Sequence, residues 1–89
     1  MDNKLEKYRS QINDIDKKIL DLIENRMSLS FKIGTYKKEN KIPILNSNRE
    51  KEVLDLLNKY NNDNSLNLEE EFINELWINI MSYSKKIQV

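Results

Sequence analysis

Apolar residues recur at Leu5, Tyr8, Ile12, Ile15, Ile19, Leu22, Leu29, Ile33 and Tyr36, mostly in alternating steps of three and four. That rhythm is the seam of a helix that packs lengthwise on another helix. It predicts one helix from about Lys4 to about Asn40, long for a globular protein. One beat is missing, because position 26 holds an arginine where the stripe should continue. The helix should end before "NKIPILNSN", where Pro43 pushes Ile42 away from helical geometry. A second helix is expected in "NSNREKEVLDLLNKY". Ser47 and Glu50 have capping-box spacing there, and Val53, Leu54, Leu56, Leu57 and Tyr60 give an apolar face. The polar run "NNDNS" should break the chain, and Asn67 with Glu70 should open a third helix striped by Ile73, Leu76, Trp77, Ile80 and Met81. No segment alternates as a strand would, and no internal repeat is present. The expected fold is all-α, with one long N-terminal helix and two shorter ones per chain.

Length turns this pattern into an assembly expectation. A chain of 89 residues makes a single small domain, taken as residues 1–89, and can bury only a modest core alone. A long seamed helix with two short helices behind it cannot cover its own stripe. Two chains pairing their long helices would, so an intertwined helical homodimer is the expected unit, with an elongated three-helix monomer as the alternative.

Composition removes several classes of chemistry. The 15 Lys+Arg balance 15 Asp+Glu, without the basic excess of a general nucleic-acid binder. There is no cysteine for a disulfide, thiol nucleophile or zinc-thiolate site, and no histidine, the commonest general base and transition-metal ligand. Neither metal nor cofactor is therefore expected. The N-terminus lacks an apolar signal-peptide core, and no apolar run is long enough to span a membrane, so a cytoplasmic location is expected.

The informative residues are polar ones on apolar faces. Lys37 lies eleven positions beyond Arg26, about three turns and about 16 Å along a helix at nearly the same azimuth. Two long cationic side chains spaced that way can converge on one small dianion. On the third helix the stripe runs on from Ile80 to Ser84 and Gln88 in four-residue steps. Each residue alone has an ordinary reading: Arg26 snorkelling from the seam edge, Lys37 solvated, Ser84 and Gln88 at a fraying helix end. Their conjunction favours a pocket. Arg9 flanks the same seam but lies about 25 Å from Arg26 along the axis, out of reach of any ligand Arg26 could hold. Across an antiparallel helix pair with its dyad near Leu20 or Leu22, Arg9 of one chain would land between Arg26 and Lys37 of the other.

The stretch "YRSQINDIDKKILDLIENRMSLSFKIGTYKKENKIPILNSNREKEVL" resembles the all-helical class of chorismate mutases in its small monofunctional form. The likeness runs from about Leu5 to Gln88. It rests on an arginine ahead of "I..ID..I..L...R", a lysine after the lone glycine, the segment "P.....RE", and a late serine with glutamine four residues on. It implies the rearrangement of chorismate to prephenate on the way to phenylalanine and tyrosine, in sites shared between the chains of a homodimer. Carried over by residue, Arg9 comes from the partner chain, and Arg26 and Lys37 are the main cations. Arg49 and Glu50 form the pair at the start of the second helix, and Ser84 and Gln88 the polar residues of the third. Arg9 and Arg26 would hold carboxylates, Lys37 and Gln88 would donate to the ether oxygen, and Glu50 would accept from the ring hydroxyl. Arg49 would orient the site and Ser84 would assist at a carboxylate. Asn46 stands where some relatives have aspartate, so no carboxylate role is carried over to that position.

A pericyclic reaction of this kind needs no proton transfer, covalent intermediate or metal, which suits a chain without histidine or cysteine. Two other readings compete. Isochorismate-pyruvate lyases resemble the pattern in the arginines and lysine and act on a near-identical dianion, though the "RE" pair with "S...Q" favours the mutase. A non-catalytic helical dimerisation module would leave Arg26, Ser84 and Gln88 unexplained. Beyond the homodimer, association with another aromatic-biosynthesis enzyme is left open; no nucleic-acid or membrane partner is expected. Gly34, lacking a Cβ, is expected to let another helix approach at its turn.

Overall fold

The computed structural model describes residues 3–88 and consists of three helices, α1 (Asn3–Glu39), α2 (Ser47–Asp63) and α3 (Glu70–Ile87). The 37 residues of α1 form one uninterrupted helix through the missing beat at Arg26, and its last turn is basic at Lys37 and Lys38, where cations oppose the helix dipole. The end is an irregular connector. Lys41 takes a left-handed φ of 55°, and its neighbour's amide, Ile42 N–H, bonds back to the Lys37 carbonyl at 2.8 Å. None of the described helices is long and apolar enough to cross a membrane.

The N-terminal cap of α2 differs from the sequence expectation. Ser47 is the first helical residue rather than the cap; Asn46 is the cap, its Oδ1 accepting from the Arg49 amide at 3.0 Å. An amide oxygen caps as well as a carboxylate does, so asparagine suffices here. Glu50 is thereby released from a capping box. Asn46→Ala is expected to cost about 1 kcal/mol and to lower the melting temperature by about 4–8 °C, whereas Asn46→Asp should keep the cap. Thermal unfolding followed by circular dichroism checks both.

The break between α2 and α3 also falls later than expected, since Asn61, Asn62 and Asp63 are still helical. Asn61 is buried and holds the following loop from both sides: its Nδ2 donates to the Leu68 carbonyl at 2.7 Å and its Oδ1 accepts from the Leu68 amide at 3.2 Å. Ser65 and Asn67 take left-handed φ values of 51° and 63° inside that loop. Asn67 therefore does not cap α3. Glu69 is the cap residue and makes no side-chain capping bond.

The third helix is the hub, packing on both α1 and α2, which do not pack on each other. Ser30 meets Ser84 and Gly34 meets Gln88, so α3 runs parallel to the second half of α1. It runs antiparallel to α2, through Asn58–Asn74 and Glu50–Lys85. The edge of α1 that meets α3 contains the small residues Ser30 and Gly34, not the apolar seam. Seam residues Leu22, Leu29 and Ile33 stay exposed.

Among the described residues only Ile73 and Met81 form a buried hydrophobic core. Every residue from 3 to 22 is exposed, a stretch of about 30 Å of helix. The molecule extends over 60 × 25 × 17 Å with a radius of gyration of 16.8 Å, against about 12 Å for a compact domain of this length. Its accessible surface of 7732 Å² exceeds by about 2,200 Å² that of a typical folded monomer of the same mass.

Candidate active site

Because α1 and α2 each pack on α3 and not on each other, a cleft of about 400 Å³ opens between them. The connector closes one end with Ile44 and Asn46, while Leu29, Ile33, Val53 and Met81 give apolar wall and floor. Into this cleft come Arg26 and Lys37 from α1, Arg49 and Glu50 from α2, and Ser84 and Gln88 from α3. The three-turn spacing puts Arg26 and Lys37 on one wall, and the four-residue step does the same for Ser84 and Gln88.

Arg26 is half-buried, and its pKa lies below the usual arginine value, first because burial disfavours the charge and second because Arg49 repels it. A guanidinium nevertheless remains protonated in proteins. The cleft thus holds a partly desolvated cation facing another, an arrangement that a bound anion relieves. Lys37 is anchored, its Nζ donating to the Ile44 carbonyl at 3.0 Å, so the ammonium sits at the connector end. Arg49 lines the cleft and also pairs with Glu52 at 2.7 Å, both side chains being more than half exposed.

Gln88 caps α3, with its amide bonded to the Lys85 carbonyl at 3.2 Å. A Cβ on Gly34 would stand only 2.6 Å from Gln88 Cα, so glycine at 34 permits this contact and seats the helix end against α1. That packing keeps the last turn of α3 formed. Gln88 Oε1 is buried without a hydrogen-bond partner among the described residues, an acceptor still to be satisfied.

Arg9 does not line the cleft. It stands exposed on the N-terminal half of α1, with Glu6 at 3.6 Å as an i,i+3 partner. Two polar lining residues were not singled out from the sequence pattern. Ser30 is buried, and its hydroxyl bonds to that of Ser84 across the α1–α3 contact. Lys85 reaches Glu50, Nζ to Oε2 at 3.1 Å. Ser30 lies beside the seam, and Lys85 is an ordinary lysine near a helix C-terminus, so nothing in a one-chain pattern marks either.

Fold and cleft define an all-helical domain with a cationic pocket. The chain belongs to the chorismate mutase type II family, whose model matches residues 8–89. It is 39% identical over 90 residues to a bifunctional chorismate mutase/prephenate dehydratase of Buchnera aphidicola subsp. Acyrthosiphon pisum, a match covering 97% of this chain and 22% of that protein. The protein of the same name from Buchnera aphidicola subsp. Schizaphis graminum is 40% identical over 65 residues, 73% of this chain and 17% of the relative. The chain thus spans about a fifth of the length of these curated relatives. Among solved structures, a conserved hypothetical protein from Pyrococcus furiosus superposes with a TM-score of 0.79 at 28% identity, covering 100% of both chains.

Proposed function

We propose that this chain is a chorismate mutase, converting chorismate to prephenate by a Claisen rearrangement. The observation that carries the proposal is the meeting of Arg26, Lys37, Arg49, Glu50, Ser84 and Gln88 around one cleft, in a chain of this family. The reaction breaks one C–O bond and forms one C–C bond in a single cyclic step. The protein must therefore hold a flexible dianion in a chair-like shape and stabilise charge as it builds on the ether oxygen. Arg26 grips a carboxylate with its planar fork, and Ser84 assists there. Lys37 and Gln88 direct N–H donors at the ether oxygen. Glu50 accepts from the ring hydroxyl, and Arg49 orients the site.

The working unit in this proposal is a homodimer paired along α1. Its support is the exposure of every residue from 3 to 22 and the surplus of about 2,200 Å² of surface, within the range of obligate homodimer interfaces. An antiparallel α1 pair brings Arg9 of the second chain to the open side of the cleft, supplying a second carboxylate clamp. The sites are then shared, which explains why Arg9 stands so far from the other cations of its own chain.

Following the loss of chorismate absorbance, with prephenate identified as the product, tests the activity. Absence of turnover overturns the proposal, and pyruvate release from isochorismate instead would assign the lyase reaction.

Gly34→Ala offers an independent test of the Gln88 assignment. Alanine gains about 1 kcal/mol in helix propensity, but its methyl would collide with the Gln88 backbone. The last turn of α3 can move aside at little cost to the rest of the fold. Stability should therefore change by less than about 2 kcal/mol, the scale of moderate overpacking. Turnover should fall at least about tenfold as the Gln88 donor leaves the cleft. Thermal unfolding and the chorismate assay, run on one preparation, separate the two effects.

A further inference from the structure

A carboxylate in a pocket for a dianion is electrostatically adverse. Glu50 stands in such a pocket, on the first turn of α2, and Asn46 rather than Glu50 makes the helix cap. What sits against it is Lys85, whose ammonium lies 3.1 Å from Oε2. The pair has one foot on α2 and one on α3, at the end of the cleft where the start of α2 meets the end of α3, and both residues line the cavity. Neither is fully solvated, with side-chain exposures of 37% for Lys85 and 30% for Glu50.

We propose that Lys85 is a positioning residue for the mutase reaction, neutralising and orienting Glu50 so that a carboxylate can accept a hydroxyl beside a doubly negative substrate. The inference rests on the mutase reading and deepens it. Lys85 engages Oε2 and leaves Oε1 as the acceptor. Lys85 acts through Glu50 and not as a ligand for the substrate carboxylates, which the arginines hold. Two of the other cleft cations are engaged elsewhere: Arg49 pairs with Glu52, and Lys37 donates to the Ile44 carbonyl. Lys85 also lies in the last turn of α3, where a cation is favoured by the helix dipole, so the side chain is held near its working place at little cost.

A double-mutant cycle distinguishes this role from direct binding and from a mere clip between helices. Lys85→Met retains the aliphatic length and removes the charge; Lys85→Arg keeps the charge. In the native background Lys85→Met should raise KM about tenfold with a smaller loss in kcat, the scale of one uncompensated unit charge about 6 Å from the ligand in a semi-aqueous cleft. Lys85→Arg should recover most of that loss. In a Glu50→Gln background, where no negative charge needs offsetting, Lys85→Met should change KM less than about twofold. Equal losses in both backgrounds would make Lys85 a direct ligand of the substrate and overturn the inference. So would an unchanged KM in the Lys85→Met single variant, or a KM rise that merely follows a fall in melting temperature. A wild type inert toward chorismate overturns the mutase reading itself, and this inference with it. An active wild type with an additive cycle overturns this inference alone.

Discussion

Replacing Lys37 by alanine is expected to lower kcat on chorismate by about 10²–10³-fold while leaving the helical fold intact. The ether oxygen gains negative charge only as the C–O bond stretches, so a donor aimed at it strengthens in the transition state and contributes to kcat. Lys37 suits that task because it is already held. Its Nζ donates to the Ile44 carbonyl, which places the ammonium at the closed end of the cleft instead of in bulk water. Little reorganisation then remains when the substrate arrives. Lys37→Gln, which keeps an N–H donor but not the charge, should recover part of the loss. Circular dichroism and sedimentation establish that each variant is folded and assembled before its kinetics are read. A Lys37→Ala protein with near-wild-type kcat would show the residue to be a connector anchor only. Arg49→Ala should place a larger share of its defect in KM, because Arg49 is more than half exposed and pairs with Glu52.

The second large effect is recovery of activity. Arg9→Ala and Arg26→Ala should each be nearly inactive alone, and a mixture of the two should regain activity as subunits exchange. In the mixed dimer one cleft receives Arg26 from one chain and Arg9 from the other, both intact, while both lesions fall in the second cleft. Statistical re-association of equal amounts should restore about one quarter of the wild-type specific activity. The physical basis is the separation of about 25 Å between Arg9 and Arg26 along a straight helix, which no side chain bridges. It is joined by the exposure of every residue from 3 to 22. Twenty residues of helix bearing Leu5, Tyr8, Ile12, Ile15 and Ile19 toward solvent would be marginal in isolation. Subunit exchange shown by tagged-chain pull-down, with no recovery of turnover, would refute sharing of the site. A stable, active monomer in sedimentation would refute it as well.

Much of the fold was legible before any coordinates, for a reason rooted in helix geometry. Angle and rise per residue are nearly constant, so azimuth and height follow from residue number alone. The ends of α1, expected near Lys4 and Asn40, lie at Asn3 and Glu39. The same arithmetic set Arg26 and Lys37 on one face and Ser84 and Gln88 on another, and all four line the cleft. Arg49 and Glu50 were singled out by resemblance and line it too. Their catalytic roles await the kinetic tests above.

The chain pattern by itself therefore determined the all-helical class, the three segments, and the heights and azimuths of the polar residues on each helix. Tertiary structure decided what those helices meet. Periodicity made the apolar seam the obvious packing face of α1, yet within one chain α1 meets α3 along Ser30 and Gly34, because small side chains allow the close approach seen at Gln88. Ser47 and Glu50 had the spacing of a capping box, but the connector sets Asn46 at the cap, and antiparallel packing of α2 on α3 gives Glu50 to Lys85. Position along a helix follows from local backbone geometry. Which side chains meet across two helices depends on their relative register and distance, which are set by long-range packing and appear in no single segment.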